Sequence, residues 1–166
     1  MCDVRFQHTS SYDAPVDAVF AMLTDARWRE KVAEARGVVS SDVTVTPEGP
    51  ESSGYRIVID QVQDTAGLPA IAKKITGDTT RAVVTEVWTS PTAGTIEILV
   101  PGKPTKATGT VSLVSDGAST RHVTDLELTV KVPLIGGRLE QLMADDIGKG
   151  LEVEQAVGVA WLEGNH

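Results

Sequence analysis

Residues 138–162, RLEQLMADDIGKGLEVEQAVGVAWL, run for 25 residues without a proline. When each residue is advanced by about 100° around a helix axis, the apolar side chains fill one broad arc and the polar ones fill the opposite arc. The apolar arc comprises Leu139, Leu142, Met143, Ile147, Leu151, Val153, Val157, Ala160, Trp161 and Leu162. The pattern predicts one long helix with a buried face and a solvated face.

Three residues interrupt this apolar arc. Gly150 lies near its centre, and a glycine inside a helix costs up to about 1 kcal/mol relative to alanine. It therefore marks either close packing against a neighbouring element or a cavity. Asp146 and Glu154 lie inside the arc as well, and a carboxylate on a buried face must be paired or neutralised. Either they pair with sheet arginines such as Arg56 or Arg81, or one of them projects into a ligand cavity.

Upstream of this helix the chain is dominated by strand patterns. Residues 3–12 alternate in period two, which is typical of a strand. Two short helices follow over 16–23 and 26–35; Asp13 and Pro15 suit the start of the first, and Gly37 suits the end of the second. Six more strands are predicted over 38–46, 55–63, 81–89, 95–100, 107–114 and 122–132.

The connections between these six strands indicate the topology. Most are short and rich in proline and glycine, as in an antiparallel meander. A sheet with one apolar face needs a cover, and the C-terminal helix is the only element large enough to supply it. The sequence thus predicts one α+β domain over residues 1–166. In it a curved, seven-stranded antiparallel sheet grips a long C-terminal helix, and two short helices follow the first strand.

One connection is longer than the others and carries its own pattern. Leu68, Ile71, Ala72 and Ile75 recur at helical spacing, while Lys73 and Lys74 face away. Such a short helix must lean on the rest of the domain, because isolated helices below about 12–15 residues are marginal in water. We expect Leu68, Ile71 and Ile75 to form a lid over one mouth of the space between sheet and helix; the alternative is a fixed plug that completes the core.

Composition excludes several classes of function. The net charge is −8, with 15 basic and 23 acidic residues, and binding to nucleic acid or to an anionic bilayer requires a basic surplus. Val and Thr make up about a quarter of the chain, which favours strands. There is one cysteine, Cys2, no visible signal peptide, and no apolar run long enough to span a bilayer. We therefore expect a cytoplasmic protein without stable membrane insertion and without a nucleic-acid partner; the sequence assigns no oligomeric state.

Recognised catalytic and cofactor motifs are missing. The chain has none of the usual zinc-ligand spacings, no glycine-rich nucleotide loop and no nucleophile elbow. Histidine occurs only at positions 8, 122 and 166, so a histidine-based triad has no support. We predict no metal site, no cofactor and no established catalytic residue.

Two segments resemble a known superfamily. Residues 12–25, YDAPVDAVFAMLTD, are similar to the opening of START-like domains, also called SRPBCC or helix-grip domains, and the order of elements is theirs as well. Residues 132–143, VPLIGGRLEQLM, with 150–155, GLEVEQ, resemble an uncharacterised branch of that superfamily, a domain of unknown function related to polyketide cyclases and lipid-transfer domains. The resemblance implies an apolar cavity between sheet and helix that takes a hydrophobic small molecule or lipid. It carries over no catalytic residue.

Three functions are compatible with this resemblance. The first is a carrier or sensor whose ligand would contact Phe6, His8, Trp88, Ile98, Met143, Asp146, Ile147, Gly150, Leu151 and Glu154. The second is a cyclase- or isomerase-type enzyme that uses Asp146, Glu154 or His8 as acid or base. The third is a protein-interaction domain whose cavity is vestigial.

Overall fold

The computed structural model describes residues 3–165, so Cys2 and His166 lie outside the described residues. The described residues begin with strand β1 and two helices, continue through six strands with one short α-helix and a 3-10 helix, Pro50–Ser52, among them, and end in a long helix. The strands are β1 Val4–Tyr12, β2 Ser40–Glu48, β3 Gly54–Asp64, β4 Thr79–Ser90, β5 Ala93–Leu99, β6 Thr105–Asp116 and β7 Ser119–Val130; the helices are α1 Val16–Leu23, α2 Ala26–Arg36, α3 Ala70–Thr76 and α4 Gly136–Leu162.

The seven strands form one antiparallel, curved sheet in the order β1-β7-β6-β5-β4-β3-β2. Strands β2 to β7 are the predicted meander, each paired with its neighbour in sequence. Strand β1 pairs with β7, with Val4 opposite Leu128 and Tyr12 opposite Thr120. The first and second strands therefore lie at opposite edges, and α1 and α2 carry the chain between them.

Helix α4 covers the sheet with the face that the apolar arc predicts. Leu139 and Trp161 are buried, and the half-buried Met143 and Ile147 pack against the same core as Trp161. The helix begins at Gly136, two residues before the predicted start. The predicted α+β helix-grip architecture is confirmed.

The core is densely packed where α1 and α2 meet the C-terminal half of α4. Tyr12, Met22, Leu23, Trp28 and Trp88 are all almost fully buried in one cluster. Helices and strand approach closely at Gly158, where an added Cβ would lie 2.7 Å from Tyr12 Cε1. The space between sheet and helix is therefore filled at this end, which leaves the opposite end as the place for a cavity.

Candidate functional site

A cavity of about 230 Å³ lies between the sheet and α4. Its walls come from α2, from inward-facing positions of β3 to β7, from α3 and its preceding turn, and from α4. The apolar lining comprises Ile59, Leu68, Ala72, Ile75, Ala82, Val84, Ile96, Ile98, Val100, Val111, Leu126, Val130, Leu139, Leu142, Met143, Ile147 and Leu151. A predominantly apolar lining with a few polar groups is typical of sites for small hydrophobic molecules.

A buried ion pair forms part of the cavity wall. Arg29 Nη1 and Nη2 lie 3.2 and 3.3 Å from the two carboxylate oxygens of Glu86, and their side chains are 4% and 6% exposed. Arg29 Nε also donates to the carbonyl of Leu23 at 2.8 Å, and Trp88 Nε1 donates to Glu86 at 2.9 Å. Burial opposes the charge on both partners, but their mutual attraction outweighs it: the pKa of Glu86 is lowered and that of Arg29 is raised. Both groups are therefore charged at neutral pH.

Helix α2 positions the arginine of this pair. Its N-cap, Asp25, accepts a hydrogen bond from Arg27 N at 2.9 Å. Its C-cap, Gly37, has φ of 70°, a left-handed conformation that glycine adopts without strain. Arg29 lies on the buried face of α2 together with Trp28 and Val32. Its side chain therefore points toward the sheet, where it reaches Glu86.

His122 lies next to this pair on β7. Its side chain is 3% exposed, and its ring lies 6.2 Å from that of Trp88. Among the described residues Nε2 is buried without a hydrogen-bond partner, and Nδ1 lies 4.0 Å from Glu154 Oε1. Burial lowers the pKa of His122 to about 4, with the charge of Arg29 acting in the same direction against the opposing charge of Glu86. The imidazole is therefore neutral at physiological pH.

Glu154 reaches the cavity from α4, opposite His122. Burial raises its pKa to about 7, and Glu86 adds to this rise while Arg29 and Arg36 oppose it. No hydrogen bond in residues 3–165 holds this carboxyl group. A carboxyl group whose pKa lies near neutrality can both accept and release a proton, as general acid–base catalysis requires.

The sheet arginines considered as partners for Asp146 and Glu154 pair elsewhere. Arg56 contacts Glu48 at 2.9 Å, and Arg81 contacts Asp60 at 2.6 Å, both on the exposed side of the sheet. The expected pairing is wrong because these two arginines alternate onto the outer face. Asp146 lines the cavity, but its side chain is exposed to solvent.

Most of the residues predicted for the site line the cavity. They are Ile98, Met143, Asp146, Ile147, Gly150, Leu151 and Glu154. Phe6, His8 and Trp88 are not part of its wall. Phe6 and His8 stack on each other with ring centroids 6.4 Å apart on β1, and Trp88 lies behind Glu86, to which it donates its indole N–H.

Gly150 combines the two environments predicted for it, a cavity wall and close packing. It lines the cavity, yet an added Cβ would lie 2.9 Å from Arg36 Cζ, on α2 rather than on the sheet. The glycine therefore makes room for the guanidinium of Arg36 at the cavity wall. This group is the far end of a flexible side chain, so a larger residue at 150 would push it aside.

The segment predicted as a lid lies at the other end of the cavity. Leu68, Ala72 and Ile75 line the wall, whereas Ile71 does not, and Lys73 and Lys74 are exposed. Helix α3 begins at Ala70, so Leu68 belongs to the turn before it. The base of the segment is fixed by Thr65, whose hydroxyl donates to the carbonyl of Gly77 at 2.5 Å.

Sequence reasoning missed Arg29, Glu86 and Arg36. The sequence pattern could have identified two of them. Glu86 alternates along β4 in step with the inward-facing Ala82, Val84 and Trp88. Arg29 falls on the apolar face of α2. Two kinds of feature are absent from residues 3–165. No group of three or more His, Cys, Asp or Glu side chains is arranged to hold a metal ion, and no described helix is long and apolar enough to cross a membrane.

Solved structures with the same fold are similar to the chain at low sequence identity. An aromatase/cyclase from Streptomyces sp. R1128 superposes with a TM-score of 0.64 at 14% identity, covering 98% of this chain and 94% of that one. A START superfamily protein from Mycobacterium smegmatis gives 0.58 at 16% identity, covering 95% and 98%. A norcoclaurine synthase from Thalictrum flavum gives 0.60 at 11% identity, covering 99% and 96%. These likenesses establish the START-like fold.

Sequence relatives match the chain over nearly their full length. Uncharacterized proteins from Mycobacterium bovis and Mycobacterium tuberculosis are 20% identical over 169 aligned positions, which cover 96% of this chain and 97% of theirs. Residues 7–162 match the family described as protein of unknown function, DUF2505. Since this match spans almost the whole chain, the protein belongs to the DUF2505 family and has a START-like fold.

Proposed function

We propose that the protein is a carrier or sensor that binds a hydrophobic small molecule or lipid between the sheet and α4. One observation carries the proposal: an apolar cavity of about 230 Å³ at a place where a core would otherwise be packed. The ligand would contact Ile98, Met143, Ile147 and Leu151. The proposal includes a single domain acting in the cytoplasm.

The two ends of the cavity have different roles in this proposal. Leu68 and Ile75 close the end at α3 and act as the lid, with Ile71 supporting them from outside the wall. The buried charged and titratable groups gather at the other end, beside α2. A ligand would therefore enter at α3 and extend toward the ion pair.

The test uses two neighbouring valines on β4. Val84 lines the cavity and Val83, one position away on the strand, does not. Protein purified without detergent should carry a co-purifying apolar molecule in native mass spectrometry. Val84→Phe should remove this molecule, while Val83→Phe should keep it. Wild-type protein that stays empty, and that takes up no added methylnaphthalene in equilibrium dialysis, would overturn the carrier proposal.

A second candidate function is catalysis of the cyclase or isomerase type. The observation that favours it is the position of Glu154 in the cavity wall with a pKa of about 7. Of the three acid–base residues considered from sequence, Asp146 is exposed and His8 lies outside the wall, so Glu154 is the remaining choice.

Nitrobenzisoxazole tests this activity without knowledge of the substrate. A carboxylate removes its ring C–H proton, the electron pair forms the nitrile, and the N–O bond breaks to give a coloured phenolate. We expect wild-type protein to accelerate this elimination with a midpoint near pH 7, and Glu154→Gln to abolish the acceleration. A wild-type rate equal to that of buffer would exclude Glu154 as a base and leave the carrier function.

A further inference from the structure

His122 and Glu154 face each other across a gap that no hydrogen bond closes. Nδ1 and Oε1 are 4.0 Å apart, which is beyond a hydrogen bond. Both residues line the cavity, and their side chains are 3% and 14% exposed. Polar groups so largely shielded from water are stabilised by a third group that hydrogen-bonds to both of them.

The position of the imidazole proton follows from the surroundings of the ring. Nε2 is buried and has no acceptor within reach, whereas Nδ1 faces a carboxyl group. A neutral imidazole carries its proton on the nitrogen that has an acceptor, so the proton belongs on Nδ1. The ring then presents a donor to the gap, and Glu154, when ionised, presents an acceptor.

One oxygen atom beside the line that joins these two groups can hydrogen-bond to both of them. Within a 4.0 Å separation, one atom can lie at about 2.8 Å from both nitrogen and oxygen. A hydroxyl group satisfies both sides at once, because it accepts from Nδ1–H and donates to the carboxylate. An ether or carbonyl oxygen only accepts, so it would oppose the lone pairs of the ionised Glu154 carboxylate at pH 8, and a methyl group would leave both partners unpaired.

The neighbouring charges argue against an ionised ligand group. Arg29 is already neutralised by Glu86 in a two-pronged contact. An anion entering the gap would therefore meet the charges of Glu86 and Glu154. Apart from Arg29, the cation that acts on Glu154 is Arg36, whereas Lys103 lines the cavity from the exposed turn before β6. An uncharged group that donates one hydrogen bond and accepts one is favoured.

We propose that His122 and Glu154 anchor the hydroxyl group of an uncharged alcohol or phenol whose remaining surface is apolar. The ligand enters hydroxyl first and leaves its apolar body against Ile98 and Ile147. This assignment rests on the proposed function, which it deepens by giving the ligand a chemical class and an orientation.

Naphthol and methylnaphthalene, substituted at the same ring position, test the assignment by equilibrium dialysis at pH 8. The quantity compared is the ratio of the two dissociation constants, because the different solubilities of the probes cancel between protein variants. His122→Phe keeps a ring of similar shape and removes both nitrogens. We expect it to reduce the preference for naphthol about tenfold relative to wild type, which corresponds to about 1.4 kcal/mol. Glu154→Gln should reduce it in the same direction.

Thr85→Val is the matched control, since Thr85 lies on β4 beside Glu86 in sequence but does not line the cavity. It should leave the ratio unchanged within about twofold, a difference well below that of one hydrogen bond. If both probes bind and the ratio is the same in wild type, His122→Phe and Glu154→Gln, the hydroxyl anchor is wrong while the carrier function stands. If neither probe binds wild-type protein, the carrier function fails and the anchor fails with it.

Discussion

Burial shifts the pKa values of His122 and Glu154 in opposite directions. The pKa of Glu154 rises from 4.5 to about 7, so the folded protein holds this proton more tightly than the unfolded chain does. Its stabilising contribution is complete below about pH 4.5 and is lost as the pH rises through 7. The pKa of His122 falls from 6.5 to about 4. Its contribution is complete above about pH 6.5 and is lost as the pH falls through 4.

Between pH 4.5 and 6.5 these two contributions change the free energy of unfolding in opposite directions, so we expect them to cancel in wild-type protein. In Glu154→Gln only His122 is left, so the free energy of unfolding should rise with pH over this range more steeply than in wild type. In His122→Phe it should fall with pH relative to wild type. Each difference has a limiting slope of about 1.4 kcal/mol per pH unit.

Urea denaturation at a series of pH values measures these slopes. Arg29 and Arg36 on α2, Glu86 on β4 and His8 on β1 also act on the pair, but they are present in all three proteins and are compared like for like. Parallel curves for the three proteins would contradict the shifts.

The Arg29–Glu86 ion pair shows why some residues of the site are difficult to predict from the sequence. Arginine and glutamate are mostly exposed in proteins, so their residue types argue against burial. Arg29 and Glu86 nevertheless share helical and strand periodicity with buried neighbours. Each is tolerated in the core only because of the other, and that partnership between α2 and β4 spans 57 positions of sequence. Periodicity could therefore have flagged both residues, but it could not have paired them.

At the scale of elements, the glycines of α4 have different reasons to be there. An added Cβ at Gly158 would lie 2.7 Å from Tyr12 Cε1 and 3.1 Å from Met22 Cε, inside the packed end of the core. At Gly148 it would lie 3.6 Å from Phe6 Cε2, an ordinary contact. The first glycine permits close approach of three elements, whereas the second only lowers helix propensity.

The same substitution at the two glycines should therefore have opposite effects. Gly158→Ala overpacks the core and should lower the free energy of unfolding by roughly 1–3 kcal/mol. Gly148→Ala should raise it by up to about 1 kcal/mol, because alanine is the better helix former. Thermal and urea denaturation measure both. Equal destabilisation by the two variants would mean that Gly148 is as tightly packed as Gly158.

Helix α3 is the least anchored of the elements around the cavity. Ala72 is its only buried residue. It packs with Val130 and Leu139 in a small cluster separate from the main core. Thr65 ties the two ends of the segment together through Gly77 and Asp78. These contacts are compatible with a lid that opens about a fixed base, and also with a plug.

Hydrogen exchange separates these two roles. For a lid, the amides of Ala72 to Thr76 should exchange quickly in empty protein and should slow when methylnaphthalene is added, because the ligand closes the segment over itself. The amides of α2 serve as the internal control and should not respond. Exchange that is already slow without the probe would make α3 a plug.

At the scale of the molecule, the sequence patterns within single elements predict the architecture, but they do not predict the volume of the cavity. Alternation and helical spacing define α4 and every strand to within a few residues, because each pattern reports which face of its own element is buried. The volume between sheet and helix depends on how strongly the sheet curves and on which side chains cross the gap. Trp28 and Trp88 fill one end, while the small side chains of Ala82 and Val84 leave space at the other end. Residue sizes are visible in sequence, but their opposition across the core is not.

A domain with one filled end and one hollow end should gain stability when the hollow end is filled. A ligand that binds only the folded state stabilises it by about 2.7 kcal/mol at a free concentration of one hundred times its dissociation constant. For a chain of this size, each kcal/mol raises the unfolding midpoint by roughly 2–4 °C. Methylnaphthalene should therefore raise the midpoint of wild-type protein by several degrees.

Val84→Phe should start from a midpoint at least as high and show no further rise, because the phenyl ring already occupies the space that the probe would take. Val83→Phe should respond as wild type does. A rise of the same size in Val84→Phe would place the probe outside the cavity.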